Sequence, residues 1–472
     1  MKRVLLLSTA LLAGCAVGPD FERPAPPAAQ SYMAAPLASK FEPDRDIPAD
    51  WWTLFRSPGL NQLVEAALAN NPTLEAARAA LLQSRELAKA QSAAFFPLVS
   101  GDLAATRAKN PGGAIAPITN FTNPYYSLYT AQLSLSYMPD VFGATRRAVE
   151  AADALAEQSR FQLEATYLTL SSNVVVTAIA EASLRGQIEA TERLMAIASD
   201  LTDKMRRLRA SGSATELDIL SQETLEAQMA ANLAQLRKQL AQTRDALTTL
   251  VGRASVDEPV QHFTLADITP PEQLPVSLPS RLVEQRPDVR LAEEQMHAAS
   301  AQVGIALSDM LPQFAITGGL GSTALRPYQL FSPGDGFWTV GGSLTQTLFD
   351  AGALLHRKRA ADAALDQAAA LYRSAVLTAI QNVADSLYAL KEDDAALKAS
   401  MAAEKSGKSA FDLTRRQYSI GGVSLVTLLN AEQTYQQAEI ALVTARANYY
   451  ADVAGLFQAL GGGWWNRPKE AL

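Results

Sequence analysis

The sequence predicts a mainly helical chain that also contributes four strands to a membrane β-barrel, built as two tandem repeats of long antiparallel coiled-coil helices. Three observations carry this. Prolines, glycines and apolar residues recur at a fixed offset, two proline-free helical stretches are unusually long, and four short stretches alternate apolar with polar residues.

The repeat comes first. Pro72 in Asn71-Pro72-Thr73-Leu74 corresponds to Pro287 in Arg286-Pro287-Asp288-Val289, and Pro97 to Pro312, both 215 positions on. Gly143 corresponds to Gly352, Ala152-Asp153-Ala154 to Ala361-Asp362-Ala363, and Gly212 to Gly421. Leu217, Ile219 and Leu220 correspond to Val426, Leu428 and Leu429, and this whole second set lies 209 positions on. The six-residue difference falls between Pro97 and Gly143, in a loop-rich segment where insertions are tolerated. The first repeat spans 50–253 and the second 280–460, joined by a proline-rich linker over 254–279. A second extended linker covers 15–49, and 461–472 form a C-terminal tail.

The N-terminus reads as a lipoprotein signal peptide over 1–14. Lys2 and Arg3 form a positive start, Val4 to Ala13 is an apolar run too short to span a membrane, and Leu12-Ala13-Gly14 precedes Cys15. This resembles a bacterial lipobox, which makes Cys15 the lipidated first residue of the mature chain. Several acyl chains on one residue anchor firmly, and Ala16 in the next position points to the outer membrane, since Asp there would resemble a signal for inner-membrane retention. Cleavage as an ordinary secretory leader beside an incidental cysteine is the competing reading.

Within each repeat the elements follow in one order: helix, two strands, long helix, tight turn, helix. Residues 72–96 and 287–311 are alanine-rich helical windows that open and close on prolines. Strands are expected over about 98–107, 126–137, 313–322 and 338–348. In Tyr129 to Tyr137 every odd residue is apolar or aromatic and every even one polar, apart from Ala131 among the odd ones, which is small as well as apolar. Their length of about ten residues suits a membrane-spanning barrel strand, and a soluble sheet with one wet face is the competing reading. Tyr125, Tyr126, Phe337 and Trp338 stand at strand ends, where rings meet lipid headgroups. Helices over 144–210 and 353–419 reach about 100 Å each at 1.5 Å per residue. Val376, Ile380, Val383, Leu387 and Leu390 step by fours and threes, as do Leu225, Met229, Leu233, Leu236 and Leu240, which is coiled-coil spacing. Hairpin tips fall at 210–215 and 419–424, where Gly212 and Gly421 end one helix and Thr215 and Ser424 cap the next.

Four strands cannot close a barrel, because the smallest closed membrane barrels have about eight. An open edge is not viable in lipid, so copies must pool their strands, and two, three or four copies satisfy the geometry.

Composition narrows the function. The net charge of −7 argues against nucleic acid as a partner. One cysteine allows no internal disulfide, and His262, His297 and His356 are too scattered in sequence to suggest a metal site. No nucleophile elbow or phosphate loop is present, and Gly318-Gly319-Leu320-Gly321 lies within an alternating strand with no helix after it. No enzyme activity and no cofactor are expected, beyond the covalent lipid on Cys15.

The doubled strand-pair and hairpin pattern, Trp51-Trp52 with Phe55 and Leu60, Arg286-Pro287-Asp288, and the C-terminal Gly461-Gly462-Gly463-Trp464 together resemble the TolC-type outer-membrane factors. Within them the lipobox points to the NodT-family lipoprotein branch that serves resistance-nodulation-division (RND) efflux pumps. The resemblance implies a homotrimer with a 12-stranded β-barrel in the outer membrane on a 12-helix α-barrel tunnel in the periplasm. It also implies a periplasmic adaptor (membrane fusion) protein and an inner-membrane RND-type transporter as partners, with drugs, solvents or metals as cargo.

The family closes its periplasmic end with hydrogen-bonding tip residues and carboxylate rings. Position by position, Asp218 holds an aspartate place in the first repeat. Thr427 and Asn430 hold the corresponding places in the second, and Tyr418 stands where the family has a gate tyrosine, so the aperture departs from an all-aspartate one. Gly212, Thr215, Gly421 and Ser424 lie at the tips where the adaptor docks in the family. Asp218 has a second reading of equal weight, because Thr215-Glu216-Leu217-Asp218 fits a capping box. Two rival functions remain open here: the duct of a type I protein secretion system, and a lipidated periplasmic scaffold without a pore.

Overall fold

The computed structural model describes residues 16–29, 31–33, 40–43, 45–109, 125–210, 212, 214–257 and 261–467. Helices are α1 (Pro58–Asn70), α2 (Pro72–Ser92), α3 (Ala144–Ala210), α4 (Glu216–Leu250), α5 (Pro279–Gln285), α6 (Pro287–Ser308), α7 (Ala353–Ser419) and α8 (Leu425–Ala459). Strands are β1 (Phe41–Pro43), β2 (Leu98–Lys109), β3 (Tyr125–Tyr137), β4 (Leu274–Val276), β5 (Gln313–Ala324) and β6 (Gly336–Thr345). The chain divides into two compact units. One takes the described residues of Met1–Arg23, Leu81–Ser159 and Ala292–Tyr372, and the other takes those of Pro24–Ala80, Arg160–Leu291 and Arg373–Leu472.

The first unit holds one antiparallel sheet in the order β2-β3-β5-β6. Strand β6 stops at Thr345 instead of reaching 348, because the Gln346 side-chain amide donates to the Met310 and Thr347 carbonyls and turns the chain away. Likewise α2 ends at Ser92 and α6 at Ser308, each before the proline expected to stop it. A single 3-10 turn, Ala93–Phe95, fills the gap after α2.

In the second unit the two repeats use the same joint twice. The residue before each repeat's proline reaches the last turn of that repeat's closing helix: the Asn71 amide donates to Leu250 O at 2.9 Å, and Arg286 Nη1 donates to Ala459 O at 2.9 Å. Beyond each closing helix a glycine adopts positive φ, Gly252 at 80° and Gly461 at 93°. A Cβ at Gly252 would meet Asn70 O at 2.3 Å, and one at Gly461 would meet Gln285 O at the same distance, so only glycine fits either place.

Around the second joint Trp51, Phe55 and Phe457 are fully buried, with Trp51 stacked on Phe457 at 5.4 Å between ring centroids. Trp464 donates its indole N–H to Gln285 O at 2.6 Å. The Trp51-Trp52, Arg286-Pro287-Asp288 and Gly461-to-Trp464 segments therefore meet in one core.

The proline-rich linkers are not merely extended. Phe41–Pro43 from one and Leu274–Val276 from the other pair as parallel strands, with Leu274 N–H on Lys40 O at 2.9 Å. The coiled-coil positions also pack: Val383, Leu387 and Leu390 on α7 and Met229, Leu233 and Leu236 on α4 are buried. Helix α3 contains a stretch long and apolar enough to cross a membrane, but 56% of that stretch is buried inside the molecule. Val174, Val175, Ala178 and Ile179 on this helix are core residues.

Gly212 and Gly421 both sit at φ 75° with open space where a Cβ would stand. Alanine at either is expected to cost about 1–2 kcal/mol, the conformational penalty alone. Gly252→Ala and Gly461→Ala should cost more, because a backbone carbonyl must also move. Denaturant midpoints of the four variants in detergent test the ranking.

Candidate functional site

Two features stand out, one in each unit. In the first, the sheet register sorts side chains by chemistry. Val99, Leu135, Gly318 and Val340 form one row across the four strands, and Gly101, Leu133, Leu320 and Trp338 form the next. These rows share a face, and it is bare: Leu103 is 84%, Trp338 76% and Leu320 62% exposed. The opposite face carries Ser100, Ser134 and Thr339 in one row and Asp102 and Gln132 in another. Its side chains hydrogen-bond to one another, Thr130 with Thr323 at 3.1 Å and Gln132 to Ser134 at 2.9 Å. Among the described residues the outer strands β2 and β6 each have one paired side only. A sheet with one bare apolar face, one polar face and two open edges has the pattern of a barrel fragment whose outside meets lipid.

In the second unit the two hairpin turns are built alike. Gly212 N–H returns to Arg209 O at 2.9 Å, and Gly421 N–H to Tyr418 O at 3.0 Å. Thr215 and Ser424 are the N-caps of α4 and α8. At Thr215 the capping box is complete. The Asp218 N–H donates to Thr215 Oγ1 at 3.2 Å, while Asp218 Oδ2 accepts from the Thr215 N–H at 2.9 Å and its hydroxyl at 2.7 Å. These bonds hold the Asp218 carboxyl below the usual aspartate value. Thr427 stands in the same place in the second repeat, its N–H on Ser424 Oγ at 3.3 Å. Asn430 is exposed one turn further along α8.

Tyr418 packs against the apolar cluster formed by Leu201, Met205, Ile219, Phe411 and Leu428. Burial raises its hydroxyl pKa, and the charge of Asp218 raises it further. Arg206 pairs with Glu223 at 2.9 Å and Asp203 at 3.2 Å, and Arg209 pairs with Glu216, so both arginines are bound within their own hairpin.

Beside the cluster lies a cavity of about 630 Å³ whose lining includes Phe411, Tyr418, Leu428 and Glu432. Sequence reading missed Glu432 and Arg415, although the 209-residue offset maps Arg206 and Glu223 onto them. That pairing was the available signal.

Among the described residues no group of three or more His, Cys, Asp or Glu is placed to hold a metal ion. His297 lies between Glu150 at 3.1 Å and Glu294 at 3.3 Å, and His262 accepts from Arg185 and Arg244. Cys15 lies outside the described residues. The chain just after it is tied down in the first unit: Val17 N–H donates to Phe142 O at 3.0 Å, and Arg147 donates to Val17 O at 3.2 Å and to Asp20 at 2.6 Å.

A family model described as outer membrane efflux protein matches residues 63–253 and 278–462. The pyoverdine export outer membrane protein OpmQ of Pseudomonas aeruginosa is 31% identical, over 98% of this chain and 97% of its own length. The toluene efflux pump outer membrane protein TtgC of Pseudomonas putida is 28% identical, over 99% and 96%. Among solved structures, the outer-membrane channel OprN superposes with a TM-score of 0.88 at 28% identity, covering 95% of this chain and all of that one.

Replacing Thr215 or Asp218 by alanine is expected to cost about 1 kcal/mol at pH 7 through loss of the cap. Because the Asp218 pKa is depressed, its contribution is complete above about pH 4 and is lost as pH falls through the lowered value. Denaturation midpoints of the parent and Asp218→Ala should therefore converge toward pH 2–3, and a gap that persists there contradicts the cap.

Proposed function

The chain belongs to the outer membrane efflux protein family, and from that premise we propose that it is the outer-membrane duct of a tripartite efflux pump. Three copies pool their four strands into a twelve-stranded barrel and their long helices into a twelve-helix tunnel in the periplasm. A periplasmic adaptor binds the hairpin tips around Gly212 and Gly421, and an inner-membrane RND-type transporter supplies both cargo and energy. The duct itself catalyses no reaction. Lipid on Cys15 anchors each copy, and the fastened segment from Val17 to Asp20 supports this by fixing the chain directly after that cysteine.

The observation that carries the proposal is the four-stranded sheet with one bare apolar face, one polar face and two open edges. Twelve strands give a lumen wide enough for water and solutes. The polar face is made largely of hydroxyls, amides and glycines, which offer passage without strong charge selection. That suits a pump in which selection happens upstream. The two export relatives, named for pyoverdine and for toluene, carry chemically unlike cargo through chains of similar relatedness.

Purified protein in a planar bilayer should give discrete current steps. Asp102→Lys, on the polar face of β2, should move the reversal potential in a salt gradient toward anions by several millivolts, since three added cations then line the lumen. No current steps, or an unmoved potential, contradicts the duct.

A further inference from the structure

Glu432 on α8 is 0% exposed, and among the described residues neither of its carboxylate oxygens has a hydrogen-bond partner. Its carboxyl is pushed up to about 7: burial disfavours the charged form, Arg415 pulls the value back, and Glu226 adds to the rise. A buried carboxylate without donors is costly in its charged form and calls for an explanation.

The repeat supplies one. Arg206 and Glu223 stand 17 positions apart across the first turn and close an ion pair at 2.9 Å. Shifted by 209 they become Arg415 and Glu432, across a turn whose glycine has the same φ of 75°. Here the pair is open. Arg415 is directed at Asp200 on α3, in the first hairpin, at 3.9 Å, and Asp200 also pairs with Lys204. The charged and titratable groups around Glu432 are Asp200, Lys204 and Arg207 from α3, Glu226 from α4, Arg415 and Tyr418 from α7, and Tyr435 on α8 itself. Glu226 is engaged by the Thr202 hydroxyl, which leaves Arg415 as the cation matched to Glu432 by the repeat.

We propose that Arg415 and Glu432 form the closing ion pair of a second arrangement of this hairpin, in which Arg415 leaves Asp200 and takes Glu432 as Arg206 takes Glu223. In the present arrangement Glu432 is neutral below about pH 7, and Arg415 lies toward the first hairpin through Asp200. A raised carboxyl pKa means that this arrangement loses stability, relative to one with Glu432 paired, as pH rises through that value. The unpaired carboxylate then draws Arg415 away, and α7 loses its ionic link to α3. The same sequence device is thus a fixed clasp in the first repeat and a proton-controlled one in the second. Only its consequence for current rests on the duct reading.

The test is a distance measurement between spin labels at Ser221→Cys on α4 and Gln433→Cys on α8, both exposed positions, in the full chain in detergent. Between pH 6 and pH 8 one distance population should give way to another, their ratio changing by roughly tenfold. Glu432→Gln should hold the first population throughout, and Asp200→Asn should move the midpoint to lower pH. A distance distribution that ignores pH, or that responds equally in Glu432→Gln, overturns the proposal. Bilayer currents recorded alongside separate the two claims. A pH-dependent distance without any current supports the clasp and removes the duct, whereas current with a pH-independent distance removes the clasp.

Discussion

A strand edge in hydrocarbon leaves its N–H and C=O groups with nothing to bond, and β2 and β6 are two such edges in every copy. The remaining features of the sheet follow from meeting that constraint. The alternation along the four strands puts leucines, valines and Trp338 on one face and hydroxyls and amides on the other. Among the described residues the apolar face is left bare, as the 84% exposure of Leu103 indicates. A soluble sheet would bury its apolar face against a helix. This one leaves it bare, which suits lipid on that side and other copies at both edges.

The helical portion solves a different problem with the same economy of sequence. One joint is used twice: a side chain before a proline holds the last carbonyl of the closing helix, and a glycine at positive φ lets a neighbouring carbonyl approach. Asn71 and Arg286 are unlike in chemistry, yet each donates to the same carbonyl of its own repeat. Duplication therefore conserved the bond while the residue changed. At the turns the reverse happened. Arg and Glu were both kept, as Arg206 with Glu223 and Arg415 with Glu432, but only the first pair is closed. Asp218 and Thr427 differ, yet both are third residues of a helix capped by a hydroxyl.

Much of this was legible in the sequence. Strand alternation depends only on neighbours two apart, and helix caps and turn glycines on residues within four positions, so both are written locally. The same locality makes the Thr215 and Asp218 pairing visible in the sequence: the bonds at 2.7 and 2.9 Å that cap α4 span only three residues. What sequence reading missed depends on distant partners. The pairing of Phe41–Pro43 with Leu274–Val276 joins segments far apart in the chain, each too short and too rich in proline to announce a strand. The neighbours of Tyr418, Phe411 and Leu428 among them, come from four helices, and no local pattern announces them. Glu432 lies on a helix whose pattern gives no reason to bury a carboxylate, and only the offset comparison with Glu223 marks it.

The central claim is that other copies of the chain complete the sheet, three in all. Native mass spectrometry of the detergent-extracted protein measures this directly. The account predicts a single assembly of three copies that persists as detergent is stripped in the gas phase. A stable single copy would contradict it, because four strands with two open edges would then be sufficient alone.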